Sequence, residues 1–191
     1  MKVKKINAIL SLLTVAALFV HIGYTVFAYL TLYYNPTLKN LMSYPFMILT
    51  CLHAVLSMVT MMFFSDGSKL DLYPQQNVET IIQRVSAVLI IPLLILHLNT
   101  FSLMQSCAES GNWVVYVLLT VAQTLFYAAS LLHVAFSVPR ALITLGRIST
   151  EEQKKKADRI VRIVCAVVFV VSAFAVIKGE LAMFLPAGGA A

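Results

Sequence analysis

Residues 6–33 read INAILSLLTVAALFVHIGYTVFAYLTLY, an apolar stretch with one histidine, His21, near its centre. A membrane-spanning helix needs roughly 20 consecutive, mostly apolar residues, and this stretch is long enough. Lys2, Lys4 and Lys5 precede it, as in a signal peptide, but the apolar region of a signal peptide has only about 7 to 15 residues. The stretch therefore predicts a first membrane span that is retained in the chain.

Four further stretches have the same character, at residues 41–64, 78–104, 113–138 and 160–185. Of the 191 residues, 60% are hydrophobic and 12% are charged, which is too apolar for a water-soluble domain of this size. Short connections with turn-forming residues separate the stretches, so consecutive helices are expected to be antiparallel. The sequence predicts an all-α integral membrane protein of one domain, residues 1–191, folded as a five-transmembrane-helix up-and-down bundle.

Basic residues are distributed unequally between the two sides of this predicted bundle. Twelve of the 14 Lys and Arg residues lie in the N-terminus, the second and fourth loops and their flanks, against Lys39 and Lys178 on the opposite side. The positive-inside rule then places the N-terminus in the cytoplasm. The same asymmetry accounts for the net charge of +6, so no nucleic-acid partner is expected.

Cysteine chemistry is not indicated. The three cysteines, Cys51, Cys107 and Cys165, form neither a C-x-x-C pair nor the spacing of a metal finger, which argues against a membrane thiol oxidase. No phosphate-binding loop or hydrolytic motif is present in the sequence either.

All four histidines lie inside apolar stretches, one in each of the first four: His21, His53, His97 and His133. An imidazole within a bilayer is costly unless it has a partner, so this even distribution indicates a common ligand, and haem is the best candidate. The alternative is that the histidines are hydrogen-bonding contacts between helices, without any cofactor.

The depth of each histidine predicts how they pair. At about 1.5 Å per residue, His21 and His97 lie about 22 and 24 Å from the inner starts of their helices, which makes them an outer pair. His53 lies about 20 Å from the inner end of its span, whereas His133 lies only about 10 Å from the inner end of its own. These two form an inner pair whose depths are less well matched. Two bis-imidazole haems at two depths, with no open iron position, would suit electron transfer.

The fourth span also carries polar residues at seven-residue steps, Gln123, Ser130 and Ser137, with His133 between the last two. Residues at this spacing lie on one face of a helix, and the histidine falls on a neighbouring part of it. A haem-ligating imidazole needs a partner for its second nitrogen. The stripe therefore predicts a polar face directed into the bundle.

Short motifs give this pattern a family resemblance. Residues 83–87, Gln-Arg-Val-Ser-Ala, running on to His97, and the segment from His133 through Leu145-Gly146 resemble the cytochrome b membrane-anchor subunit of succinate:quinone oxidoreductases and quinol:fumarate reductases. The similarity is to the single-chain, five-helix, two-haem type. Members of that family usually have glycine where this chain has Ala87.

The resemblance implies two haem b groups, an outer one held by His21 and His97 and an inner one held by His53 and His133. It implies an iron–sulfur subunit docked on the cytoplasmic side, next to a flavoprotein subunit, in a bacterial cytoplasmic (inner) membrane. A menaquinone-type quinone would react near the outer haem, and a homodimer of the whole complex is compatible with the family. Because no carboxylate stands before His133, where Ser130 to Leu132 lie, the family's compensating proton route is not expected here.

Three charged residues have candidate roles. Arg84 begins the third span on the inner side, where it would either neutralise a haem propionate or serve as an ordinary positive-inside anchor. Glu109 and Glu180 are the only acids on the outer side. Glu109 is expected in a loop, either as the proton acceptor of quinol oxidation or as a solvated acid, and Glu180 is expected to pair with Lys178.

The first interpretation is therefore a di-haem electron-transfer subunit of a succinate or fumarate enzyme, in which the partner subunits bind the dicarboxylate. A second interpretation is a cytochrome b anchor of a different quinone-linked dehydrogenase. A third, from another class, is a haem-free helical transporter or assembly subunit. The number of haems per chain separates the third from the first two.

Overall fold

The computed structural model describes residues 2–64 and 74–184, and side chains in residues 2–63, 78–183 of these. It contains five helices: α1 (Lys2–Thr31), α2 (Pro36–Phe64), α3 (Pro74–Glu109), α4 (Trp113–Thr144) and α5 (Glu151–Phe184). Each helix is long and apolar enough to cross a membrane, and the described residues include no strand. The predicted five-helix, all-α fold is therefore confirmed.

The last two helices extend beyond the predicted spans. Helix α4 runs to Thr144 instead of residue 138, and α5 starts at Glu151 instead of residue 160. Gly146 ends the α4 turn with a φ of 73°, a left-handed conformation that glycine adopts without strain. At the start of α5, the Thr150 hydroxyl accepts a hydrogen bond from the backbone N–H of Gln153 (3.2 Å), which caps the helix.

Consecutive helices are antiparallel, as predicted. Between α1 and α2, Thr14 lies against Leu49 and Asn7 lies against Ser57. Between α3 and α4, Gln83 contacts Ser137 and His97 contacts Gln123, while Tyr116 of α4 reaches Glu180 of α5. The bundle thus has an N-terminal end, which includes the starts of α1, α3 and α5, and a far end, where α1 is joined to α2 and α3 to α4.

Helix α4 is the centre of the bundle, in contact with α1, α3 and α5. Its buried residues Leu131, Val134 and Ala135 pack with Ile22 of α1 and Cys165 of α5. Many large apolar side chains elsewhere are exposed, as expected of helices that face lipid.

Helix α2 is packed differently from the other four. Among the described residues it contacts α1 and no other helix, and none of its described side chains is buried. In the described part of the chain, helix α2, which carries His53, is therefore held in the bundle through α1 alone.

Candidate functional site

The structure brings His21 and His97 together in the half of the bundle nearer the far end. Their ring centres are 6.5 Å apart and their planes are nearly perpendicular, at 86°. Two imidazoles on opposite sides of one first-row metal ion, with metal–nitrogen bonds of about 2 Å, have ring centres roughly 6 to 7 Å apart. The observed separation is therefore compatible with two axial ligands of one iron.

Helix α4 holds the ring of His97 in place. The side-chain amide of Gln123 lies against Nδ1 of His97, with Nε2 at 2.7 Å and Oε1 at 3.0 Å. The ring also stacks on Phe126, with centres 4.7 Å apart. Gln123 Nε2 in addition donates to the hydroxyl of Tyr127 (3.2 Å). Gln123, predicted to face inward, is thus a direct partner of a histidine.

Helix α2 supplies the partners of His21. The Ser43 hydroxyl lies 3.3 Å from Nδ1 of His21, and the imidazole stacks on Phe46 with ring centres 5.4 Å apart. Both partners, Ser43 and Phe46, lie on α2, the helix whose described residues contact only α1. The orientation of His21 therefore depends on the α1–α2 pair.

His133 has the best-defined protonation of the four histidines. Its Nδ1 donates to the backbone carbonyl oxygen of Gln83 (3.0 Å), and the Ser86 hydroxyl lies 3.3 Å from the same nitrogen. A carbonyl oxygen only accepts, so in the neutral ring the proton lies on Nδ1 and the lone pair on Nε2. This is the tautomer that binds a metal through Nε2.

His53 of α2 lies in the neighbourhood of His133 of α4. Its contacts are weaker, because the Ser57 hydroxyl is 3.4 Å from Nδ1 and 3.5 Å from Nε2. The same hydroxyl donates to Asn7 Oδ1 at 3.2 Å. Among the described residues His53 therefore has no close hydrogen-bond partner.

The depth predicted for His133 was counted from Arg140, but α4 continues to Thr144. His133 therefore lies eleven residues, or about 16 Å, before the end of its helix. The two pairs are themselves about 15 Å apart along α4, since Gln123, the contact of His97, precedes His133 by ten residues.

The free imidazole nitrogens fit axial ligation of a haem. No described residue forms a hydrogen bond with Nε2 of His21, His97 or His133, and none of these three nitrogens is a buried atom without a partner, since Glu180 Oε1 is the only such side-chain oxygen or nitrogen in the described part of the chain. The three Nε2 atoms are therefore not occupied by other side chains. The described residues form no cluster of three or more metal-ligating side chains, and a haem needs only two because the porphyrin supplies four nitrogens.

Two of the acidic residues are placed differently from expectation. Glu109 is the last residue of α3, not a loop residue, and its exposed carboxylate accepts a hydrogen bond from Gln105 Nε2 (3.0 Å). Glu180 is buried, with 1% of its surface exposed, and its carboxylate lies against Thr120 (3.0 Å). The expected pairing with Lys178 is wrong: that lysine is exposed and forms no ion pair among the described residues.

A polar cluster at the N-terminal end was not predicted. Arg140 Nη1 donates to Gln83 Oε1 (2.7 Å), so it is connected to the residue whose carbonyl holds His133. Glu79 lies within 4 Å of Arg140, Lys154 and Arg162. The feature of the sequence that could have predicted this polar cluster is the four-residue spacing of Glu79 and Gln83, which places both on one helix face. Arg84 itself is exposed on α3.

No protein-family model matches the chain, and neither does any curated protein or solved structure. The resemblance to cytochrome b anchors accordingly rests on the residues themselves. Those residues are the segment 83–87 and the four histidines, one on each of α1 to α4.

Proposed function

We propose that this chain is a di-haem b cytochrome subunit that anchors a succinate dehydrogenase or fumarate reductase complex. It would transfer electrons between a membrane quinone, of the menaquinone type, and an iron–sulfur subunit. One observation carries the proposal. The rings of His21 and His97 lie 6.5 Å apart, His133 lies about 15 Å from that level along α4, and Nδ1 of His21, His97 and His133 each has a polar partner.

In this proposal His21 and His97 hold the outer haem, and His53 and His133 hold the inner one. Held by two imidazoles each, the haems would supply one-electron transfer. The protein orients the ligands through groups around them. The Gln123 amide and the Gln83 carbonyl fix the rings of His97 and His133, as outer-shell partners do in other metal sites.

The two ends of the bundle would have different partners. The basic N-terminal end would face the cytoplasm and dock the iron–sulfur subunit, with the flavoprotein bound to it, and the quinone would react near the far end. Arg84 is the candidate for a haem propionate and Glu109 the candidate proton acceptor for quinol. Moving one charge across the bilayer is worth about 2.3 kcal/mol per 100 mV, so the depth of the quinone site decides whether turnover is electrogenic.

The first test is haem content together with co-purifying subunits. A reduced pyridine haemochrome spectrum should show two b haems per chain, and a flavoprotein and an iron–sulfur protein should co-purify. A preparation made with ample haem supply that contains no haem would refute the proposal and favour a haem-free bundle. Two haems with a different partner enzyme would favour an anchor for another dehydrogenase.

The second test is the pairing of the histidines. His21→Ala and His97→Ala should remove the same spectral component, and His53→Ala and His133→Ala should remove the other one. The physical reason is that an axial pair is lost when either ligand is removed. If His21→Ala and His53→Ala removed the same component, the pairing would be wrong even though haem is bound.

A further inference from the structure

A carboxyl group is buried at the far end of the bundle, between α4 and α5. Glu180 has only 1% of its surface exposed. Its Oε2 accepts a hydrogen bond from the Thr120 hydroxyl (3.0 Å). Its Oε1 is buried and has no hydrogen-bond partner within the described residues. One oxygen of the group is therefore sealed from water without any local compensation.

The groups that face this carboxyl are phenols, not cations. Tyr116 of α4 donates its hydroxyl proton to the backbone carbonyl oxygen of Glu180 (2.9 Å). Tyr116, Tyr127 of α4 and Tyr29 of α1 all lie near the carboxyl. No basic residue in the described part of α1, α3, α4 or α5 forms an ion pair with Glu180.

A structural role does not account for such a group. A buried carboxylate without a cation is among the costliest groups to place in an apolar interior, and an apolar side chain would pack against Thr120 without that cost. Ionisable residues inside membrane spans are rare and are usually part of ion or proton pathways. A carboxyl that holds a proton at rest and gives it up during a reaction avoids most of the cost.

The carboxyl is also connected to the histidine site. Thr120 and Gln123 are three residues apart on one face of α4, and Gln123 bridges His97 and Tyr127. Tyr127 in turn lies near Glu180. The carboxyl therefore adjoins the polar residues around His97, although it does not touch the histidine.

We propose that Glu180 is a proton-transfer site, which carries one proton between the quinone reaction and the water at the far end of the bundle. This inference rests on the proposed function. Reduction of a quinone to a quinol takes two electrons and two protons. The electrons come from the haem chain of the proposed function, one proton comes from the Glu180 carboxyl and the second comes directly from the water at the far end. The resulting Glu180 carboxylate is then reprotonated from the same water. Quinol oxidation reverses these steps.

The test compares Glu180→Gln with Glu152→Gln in the purified complex, since Glu152 is an exposed acid on the same helix. Glutamine has the shape of glutamate but cannot carry the proton. General acid–base groups contribute typically about 100-fold or more to a rate. We expect Glu180→Gln to lower quinone turnover about 100-fold with unchanged haem content, and Glu152→Gln to leave it within about twofold.

A second measurement does not depend on haem or turnover. Infrared difference spectra recorded over a pH titration should show a carboxyl C=O band that persists after exposed acids have ionised and that is absent in Glu180→Gln. If Glu180→Gln fails to fold, Thr120→Val serves instead, because it removes only the hydrogen bond to Oε2. We expect Thr120→Val to shift the band and to lower turnover about tenfold.

The outcomes separate the two proposals. Wild-type turnover in Glu180→Gln, with both haems present, overturns the role of Glu180 and leaves the cytochrome assignment standing. The role of Glu180 is also overturned if Glu109→Gln lowers turnover about 100-fold and Glu180→Gln does not, because the exposed Glu109 is then the proton site. A wild-type complex without haem instead overturns the proposed function, and the infrared band then reports only whether Glu180 holds a proton.

Discussion

Gln123→Leu is the substitution that tests most directly how the far histidine pair is positioned. Leucine has a volume close to that of glutamine, so packing on α4 is retained while the amide is lost. The amide lies 2.7 Å from Nδ1 of His97, 3.2 Å from the Tyr127 hydroxyl and 3.5 Å from the Thr100 hydroxyl. The substitution therefore removes three polar contacts at one position.

The expected loss of stability follows from these contacts. A hydrogen bond between membrane helices contributes about 0.6 kcal/mol on average and at most about 1.7 kcal/mol. The 3.5 Å contact is too long to contribute much, so the two shorter ones account for about 1 to 2 kcal/mol. Leaving Nδ1 of His97 without a partner adds to this. We expect Gln123→Leu to lower the free energy of unfolding by about 2 kcal/mol.

The effect on haem is separate from the effect on stability. Loss of an outer-shell partner typically weakens metal binding about 10- to 100-fold. Because Gln123 contacts His97 and not His133, the spectral component that depends on His21 and His97 should be weakened and the other left intact. Unfolding by sodium dodecyl sulfate and reduced-minus-oxidised spectra measure the two effects independently.

Gln105→Leu is the matched control. Gln105 is an exposed glutamine near the end of α3, and its amide contacts only the exposed Glu109 among the described residues. This variant should retain wild-type stability within about 0.5 kcal/mol and both spectral components. If Gln123→Leu behaved like Gln105→Leu in both assays, the reasoning that Gln123 orients His97 would be refuted.

Two further predictions concern packing and charge. Gly179→Ala should destabilise the protein by about 1 to 3 kcal/mol, because the added Cβ would lie 2.8 Å from Cβ and 2.9 Å from Cγ of Tyr29. The control is Gly23→Ala, whose Cβ would meet nothing within 4 Å. This control should be neutral or slightly stabilising in thermal unfolding. Glu79→Gln removes the anion that three basic side chains approach. It should lower the free energy of unfolding by about 1 kcal/mol at low salt and by less at high salt. An equal loss of stability at both salt concentrations, or the same loss in Glu109→Gln, would contradict this.

The number and order of the helices could be predicted from the sequence because both depend on local properties. A span is recognised by the length and apolarity of one continuous segment. The helix ends were less predictable. Helix α4 continues through Pro139 and Arg140 to Thr144, although polarity suggested an earlier end, because helical hydrogen bonding continues outside the apolar zone.

The levels of the histidines were predictable in part for the same reason. Depth along a helix follows from residue counting at about 1.5 Å per residue, so His21 and His97 were expected at one level, and the structure brings them together. The distance of His133 from its helix end was underestimated because it was counted from Arg140, whereas α4 continues to Thr144.

The amino-acid sequence alone determined that this chain forms five apolar helices with one histidine in each of the first four. Only the tertiary structure decided which groups face those histidines, that Gln83 offers its carbonyl to His133, and that Glu180 is buried while Glu109 is exposed. The physical reason is that hydrophobicity acts on each segment separately, whereas the rotation of a helix about its axis is set by packing against its neighbours.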